Sequence, residues 1–111
     1  MKAGYSLWIT NENGDKIFGI GPYDLLVLID ELGSLNKAAK EIKISYTKAR
    51  DILNRAEREL DIKLLEREVG GPSGGGSKLT HEAREIMVKY EEYRKRSSLA
   101  IEDTFHNVFN K

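Results

Sequence analysis

GSLNKAAKEIKISYTKARDILN, from Gly33 to Asn54, is the stretch whose reading decides the fold. It has the layout of two helices joined by a tight polar turn. The first is short and carries the pair Ala38-Ala39, which suits a close helix crossing because larger side chains would hold the backbones apart. Ile42 and Ile44 bracket the turn. Ser34 is placed to cap the first helix, and Ser45 the second, each accepting from backbone N–H groups that have no partner inside the helix. The second helix opens with Ser45-Tyr46-Thr47-Lys48 and runs to about Leu60, with Ala49, Ile52, Leu53, Ala56 and Leu60 on one stripe. A helix held at a fixed angle on a small support is a device for entering the DNA major groove.

Outward from this motif the chain supplies the rest of a small domain. Tyr5, Leu7 and Ile9 alternate with Ser6, Trp8 and Thr10. Asn13-Gly14 then predicts a turn and Lys16 to Ile20 a returning strand, together a β-hairpin. Gly21-Pro22 ends the strand and starts a helix with Leu25, Leu28, Ile29 and Leu32 at helical spacing and Gly33 as its left-handed stop. Beyond Asp61, Ile62, Leu64 and Leu65 lead into a short strand expected over Glu66-Arg67-Glu68-Val69. The loop GGPSGGGS follows, Lys78-Leu79 returns, and Thr80 is placed to cap a last helix from near His81. Strand, glycine loop and strand after a helix-turn-helix make a wing. The expected fold is mainly α with small β: a winged helix-turn-helix with an N-terminal β-hairpin and a long C-terminal helix. One domain over 1–111 is expected, with hairpin 1–21, helix-turn-helix and wing 22–80, and a C-terminal helix 81–111 as dimerisation arm. In that last helix Ala83, Ile86, Met87 and Tyr90 share a face, and RKRSS (94–98) interrupts the pattern before Leu99, Ile101, Phe105, Val108 and Phe109. Either the helix continues and its uncovered apolar part meets a second subunit, or it kinks at RKRSS and folds back.

Composition narrows the function classes. Hydrophobic residues make up 40%, enough for a packed core. No apolar run is long enough to cross a membrane, and the start MKAGYSLWIT has no apolar signal core, so the cytoplasm is the expected location. Cys is absent, which excludes a disulfide frame, a zinc ribbon and a thiol nucleophile. The formal net charge is zero, whereas nucleic-acid binders commonly carry a basic excess. Placement matters more than the total. Lys48, Arg50, Arg55 and Arg58 all fall on the second motif helix, while Glu12, Asp30, Glu31, Glu91, Glu92, Glu102 and Asp103 lie outside the motif.

On a projection centred on the buried stripe, Thr47, Asp51, Asn54 and Arg58 point away from the core and Lys48, Arg50 and Arg55 flank them. Arg and Lys can donate to guanine, Asn54 can pair with adenine in bidentate fashion, and Thr47 can reach a phosphate or a thymine methyl. Tyr46 is placed for phosphate or a base, and the capping residues Ser34 and Ser45 belong to the same expected DNA-binding set. Asp51 can accept from cytosine or orient Arg50 or Arg55. The bland counterpart is an ordinary solvated helix face, and the surrounding motif tips the reading toward DNA.

The loop Gly70-Gly71-Pro72-Ser73-Gly74-Gly75-Gly76-Ser77-Lys78 does not fit a phosphate-binding P-loop. Ser77 separates the last glycine from Lys78, and Leu79 stands at the hydroxyl position. As a wing, bare backbone at Gly74 and Gly75 can approach phosphates or a groove closely, with Lys78 adding charge; a plain hairpin tip is the alternative. His81-Glu82 opens like HExxH, but position 85 is Glu, and His106 stands alone, so neither a metal site nor a catalytic residue is assigned, and no cofactor.

The pieces GSLNKAAKEIKISY, Ser45-Tyr46…Ala49…Asp51…Asn54, Leu65-Glu66-Arg67 and GGPSGGGSKLT resemble the N-terminal DNA-binding domain of the ModE-type molybdate-responsive transcription regulators, over roughly Leu7 to Tyr90. The first piece is shared with LysR-type winged helices generally. The resemblance implies a homodimer with one recognition helix per subunit in successive major grooves of double-stranded DNA and the wings on flanking backbone or minor groove. The sequence departs from the pattern at Arg50, where the family usually has an aromatic residue, and near Pro72-Ser73, where it tends to carry Lys. ModE proteins sense molybdate through C-terminal domains, and this chain ends at Lys111 without one, so a molybdate role is not expected to carry over and the effector is unassigned. The expected function is a dimeric transcriptional regulator that reads specific DNA; the competing class is a winged-helix scaffold for protein–protein interaction.

Overall fold

A computed structural model describes residues 1–67 and 76–110. In chain order the elements are β1 (Ile9–Thr10), β2 (Lys16–Phe18), α1 (Ile20–Leu32), α2 (Leu35–Glu41), α3 (Tyr46–Leu60), β3 (Leu65–Arg67), β4 (Ser77–Leu79) and α4 (His81–Phe109). β1 pairs antiparallel with β2, and β3 with β4. This is the winged helix-turn-helix with N-terminal hairpin and long C-terminal helix that the sequence predicts.

The caps form where expected. Ser34 Oγ accepts from Lys37 N at 3.2 Å, Ser45 Oγ from Lys48 N at 3.0 Å, and Thr80 Oγ1 from Ala83 N at 3.0 Å. Gly33, at φ 77°, ends α1 by donating its N–H to Ile29 O. The motif turn is tighter than its sequence suggests: Lys43, a non-glycine residue, sits at φ 62°, and Ile44 N then donates to Ala39 O at 3.0 Å. Ile44 packs against the core, whereas Ile42 is exposed.

The core comprises Phe18, Leu25, Leu26, Ile29, Leu35, Leu53, Leu64, Leu79 and Tyr90 around Ala38, Ala39, Ala49, Ala56 and Ala83, all buried. Alanine is what lets α2 and α3 pack closely. Phe18 meets Tyr90 edge-on, with ring centroids 5.3 Å apart, and Tyr23 packs on the same ring at 5.4 Å. Ile52 and Leu60 complete the α3 stripe half-buried rather than within the core.

Two expectations are corrected and one open alternative is resolved. The hairpin is short: β1 holds only Ile9 and Thr10, with a register irregularity between them. The preceding alternation does not extend the strand, because the Leu7 carbonyl accepts from Tyr90 Oη at 2.9 Å and that segment lies against α4 instead. Asn11 builds the hairpin turn, its Oδ1 accepting from both Asn13 N and Asp15 N at 2.9 Å, with Gly14 at φ 87°. Helix α1 starts at Ile20 and takes Pro22 into its first turn, where a missing N–H leaves no helical bond unmade. Finally, α4 runs unbroken through RKRSS, which excludes the folded-back alternative. Arg and Lys are good helix formers, and an Arg96–Glu92 ion pair at 2.6 Å braces the interrupted segment one turn apart. Twenty-nine residues make α4 about 44 Å long, in a molecule 62 Å in its longest dimension.

Candidate nucleic-acid interface

Helix α3 owes its orientation to contacts at both ends and along its back. Ala49, Leu53 and Ala56 are buried. At its C-terminal end the Glu57 carboxylate accepts from Leu64 N at 2.7 Å, which holds the chain leading into β3 against the helix. Thr80 then joins three segments: its hydroxyl donates to Lys63 O at 2.6 Å, its N–H donates to Leu64 O at 3.1 Å, and its Oγ1 caps α4. Ser77 N donates to Gly33 O at 3.0 Å, pinning the base of the wing to the turn between α1 and α2. The α3 face and the wing strands are therefore fixed relative to one another by buried side chains and backbone hydrogen bonds.

With its back buried, α3 presents Tyr46, Thr47, Lys48, Arg50, Asp51, Asn54, Arg55 and Arg58 as exposed side chains. The structure sorts them. Tyr46, Arg50 and Asn54, one turn apart each, line a cleft of about 510 Å³ between α3 and the wing, whose far side includes Lys63, Glu66 and Ser77. Arg50 Nη1 lies 3.5 Å from Tyr46 Oη, the outer limit of a hydrogen bond, and Arg50 makes no ion pair with Asp51 among the described residues. Arg55 lies on the other side of the helix, beside Lys16 and Phe18 of the hairpin. Arg58 stands at the C-terminal end near Asp61 and Lys63. Ser34 and Ser45 have their hydroxyls engaged as caps, and Ser34 is half-buried. Lys78 is exposed on β4, opposite Glu66 in the ladder. Gly74 and Gly75, together with the expected strand residues Glu68 and Val69, lie outside the described residues.

The charge is polarised although the chain is neutral. From Leu35 to Leu60 the cations Lys37, Lys40, Lys43, Lys48, Arg50, Arg55 and Arg58 face only Glu41, Asp51, Glu57 and Glu59. None of these cations takes part in an ion pair among the described residues, where the pairs are Arg84–Asp30, Arg96–Glu92 and His81–Glu85. Lys37, Lys40 and Lys43 are exposed candidates that the reading of α3 alone misses. The signal was available: the first helix of such a motif crosses the DNA backbone, Lys37 and Lys40 lie on that helix, and Lys43 follows in the turn.

Shifted ionisations lie where α1 packs against α4. A hydrogen bond to Glu91, with burial second, pushes the Tyr23 phenol up to about 12. Burial raises the Tyr90 phenol. The Arg84 guanidinium, 2.8 Å away, holds the Asp30 carboxyl below the usual range, and Asp30 raises Arg84 in return. Both pairs clamp α4 to α1. No helix among the described residues is long and apolar enough to cross a membrane.

Comparison with known proteins agrees with this geometry. The chain is 42% identical over 67 residues to the transcriptional regulator ModE of Haemophilus influenzae, covering 60% of this chain and 26% of that protein. It is 38% identical over 66 residues to the molybdenum transport protein ModE of Azotobacter vinelandii, covering 60% and 24%. It is 36% identical over 59 residues to the DNA-binding transcriptional dual regulator ModE of Escherichia coli K12, covering 53% and 22%. The chain thus matches about a quarter of the length of these relatives. Among solved structures, a chain from a crystal structure of a CbnR_DBD–DNA complex superposes with a TM-score of 0.59 at 17% identity, covering 78% of this chain and 94% of that one, which establishes the shared fold. The family model for bacterial regulatory helix-turn-helix proteins of the lysR family matches residues 23–84, more than half of the chain. This protein belongs to that family.

Proposed function

We propose that the protein is a sequence-specific, double-stranded-DNA-binding transcription regulator that acts as a homodimer without catalytic activity. The observation that carries the reading is the pinned α3, which buries Ala49, Leu53 and Ala56 and leaves Thr47, Lys48, Arg50, Asn54, Arg55 and Arg58 exposed. In this reading α3 enters the major groove. Arg50 and Asn54 address guanine and adenine edges, and Thr47, Lys48, Arg55 and Arg58 contact edges or phosphates around them. Lys37, Lys40 and Lys43 on and after α2, with Lys78 and the glycine loop at Gly74-Gly75, hold the flanking backbone. The lysR-family match and the DNA-binding descriptions of its relatives support this assignment.

The dimer is assigned to α4. Past Tyr90 this helix leaves Leu99, Val108 and Phe109 more than half exposed, and a second copy would cover them. Residues 1–111 then act as one domain with 81–111 as the dimerisation arm, placing two α3 helices about 34 Å apart on one face of the duplex. The whole reading places the protein in the cytoplasm.

Selection from a randomised duplex pool at two salt concentrations tests the proposal. Enrichment of a palindromic sequence whose affinity falls steeply with salt is expected. A pool with no enriched sequence and no salt dependence would reject DNA reading and favour the interaction-scaffold class. Arg50→Ala and Asn54→Ala should each relax preference at particular base pairs by about 1–3 kcal/mol, while Lys78→Ala should weaken all sequences alike.

A further inference from the structure

We infer that Tyr46 is a positioning residue for Arg50, and that the pair together, not Arg50 alone, sets the preference for guanine at one base pair. The inference rests on the reading of α3 as the major-groove helix and deepens it. Tyr46 and Arg50 are one turn apart on the exposed face, where Arg50 Nη1 comes to 3.5 Å from Tyr46 Oη, a long hydrogen bond. Asn54 follows one turn later, and all three line the same cleft against the wing.

The chemistry favours a role in orientation. A guanidinium carries N–H donors in a fixed planar fork, and reading guanine requires two of them to meet O6 and N7 together. Arg is otherwise a long side chain with much rotamer freedom to lose. One donor directed at the phenol oxygen restricts the side chain and leaves the remaining donors for a base edge. A carboxylate in the same place would hold the group more firmly, but it would compete with the base and cancel the charge. Tyr46 is neutral and gives up nothing in charge attraction to phosphates. Its own O–H proton stays available for a phosphate oxygen, so the phenol can sit between backbone and guanidinium. Asp51, the acidic neighbour on the same helix, does not take Arg50. Tyr46 is 40% exposed, so its hydroxyl is not part of the core.

The experiment measures binding of the wild-type protein and the Tyr46→Phe, Arg50→Ala and double variants. The probes are the selected duplex and its single-base-pair variants, at two salt concentrations, with melting curves as a check on folding. Tyr46→Phe keeps the ring and removes the acceptor. The expected result is a loss of about three- to tenfold in discrimination at the base pair that Arg50→Ala also relaxes. No further loss is expected when Tyr46→Phe is added to Arg50→Ala, and no change in the salt dependence. A uniform weakening on every duplex with discrimination intact would overturn the inference and make Tyr46 a phosphate contact only. Full additivity of the two substitutions would overturn it as well. A wild-type protein with no base preference anywhere would remove the major-groove reading itself, and the inference with it.

Discussion

The two halves of α4 are built from similar residues and end in different states. Up to Tyr90 the helix is part of the domain: Ala83 and Tyr90 are buried, Arg84 pairs with Asp30, and Tyr90 reaches the Leu7 carbonyl. Beyond Arg94 the same helix carries Leu99, Ile101, Phe105, Val108 and Phe109, yet Leu99 is 65% exposed and Val108 59%. Hydrophobic sequence alone therefore does not make a core. What separates the halves is whether another element lies within reach, and only the first half has α1 and the N-terminal segment beside it.

The largest test of this contrast compares truncations in each half. Leu53→Ala or Phe18→Ala should destabilise the fold by about 2–5 kcal/mol, read by denaturant melts. Leu99→Ala and Phe109→Ala should cost under about 1 kcal/mol in dilute protein, while shifting sedimentation from dimer toward monomer. Equal destabilisation by Leu99→Ala and Leu53→Ala at high dilution would erase the distinction. Thr80 comes next, because it joins wing, linker and α4. Thr80→Ala should lower stability by about 1–2 kcal/mol through loss of the cap and the bond to Lys63, and Thr80→Ser should recover most of it.

The clamps between α1 and α4 titrate, and their signs differ. Tyr23 is raised in the fold to about 12 from 10.0, so its contribution is complete below pH 10 and is lost as pH rises through about 12. A Tyr23→Phe variant should lose that alkaline fall in melting temperature. Asp30 is lowered, so its contribution is present above the ordinary carboxylate range and disappears as pH falls through its depressed value. Asp30→Asn should flatten the acid side only. The smallest effect is expected at the motif turn. Lys43→Gly should raise stability by about 0.5 kcal/mol, since glycine adopts the left-handed conformation without the side-chain penalty but loses more chain entropy.

Much of this architecture was legible because local chemistry and packing agree. Ser34, Ser45, Thr80 and Gly33 act locally, and their caps and stop need no knowledge of distant residues. The buried side of α3 follows from its period, and so does the exposure of the candidate DNA-reading residues. The hairpin misled because Tyr5 to Ile9 alternates like a strand, while the Leu7 carbonyl is claimed by Tyr90, 83 residues away. The turn at Lys43 gave no signal because no glycine or asparagine marks it. Lys37, Lys40 and Lys43 leave no mark in the pattern of α3, because they sit on and just after the other helix of the motif.

The sequence by itself determined the helix-turn-helix, its caps, the polar face of α3 and the membership that these motifs imply, because each depends on residues close together in the chain. Tertiary structure alone decided that the hairpin is cut short, and that Tyr46, Arg50 and Asn54 share a cleft with the wing while Arg55 faces the hairpin. Those outcomes depend on which groups meet across the fold, through long-range hydrogen bonds and packing that no local pattern encodes.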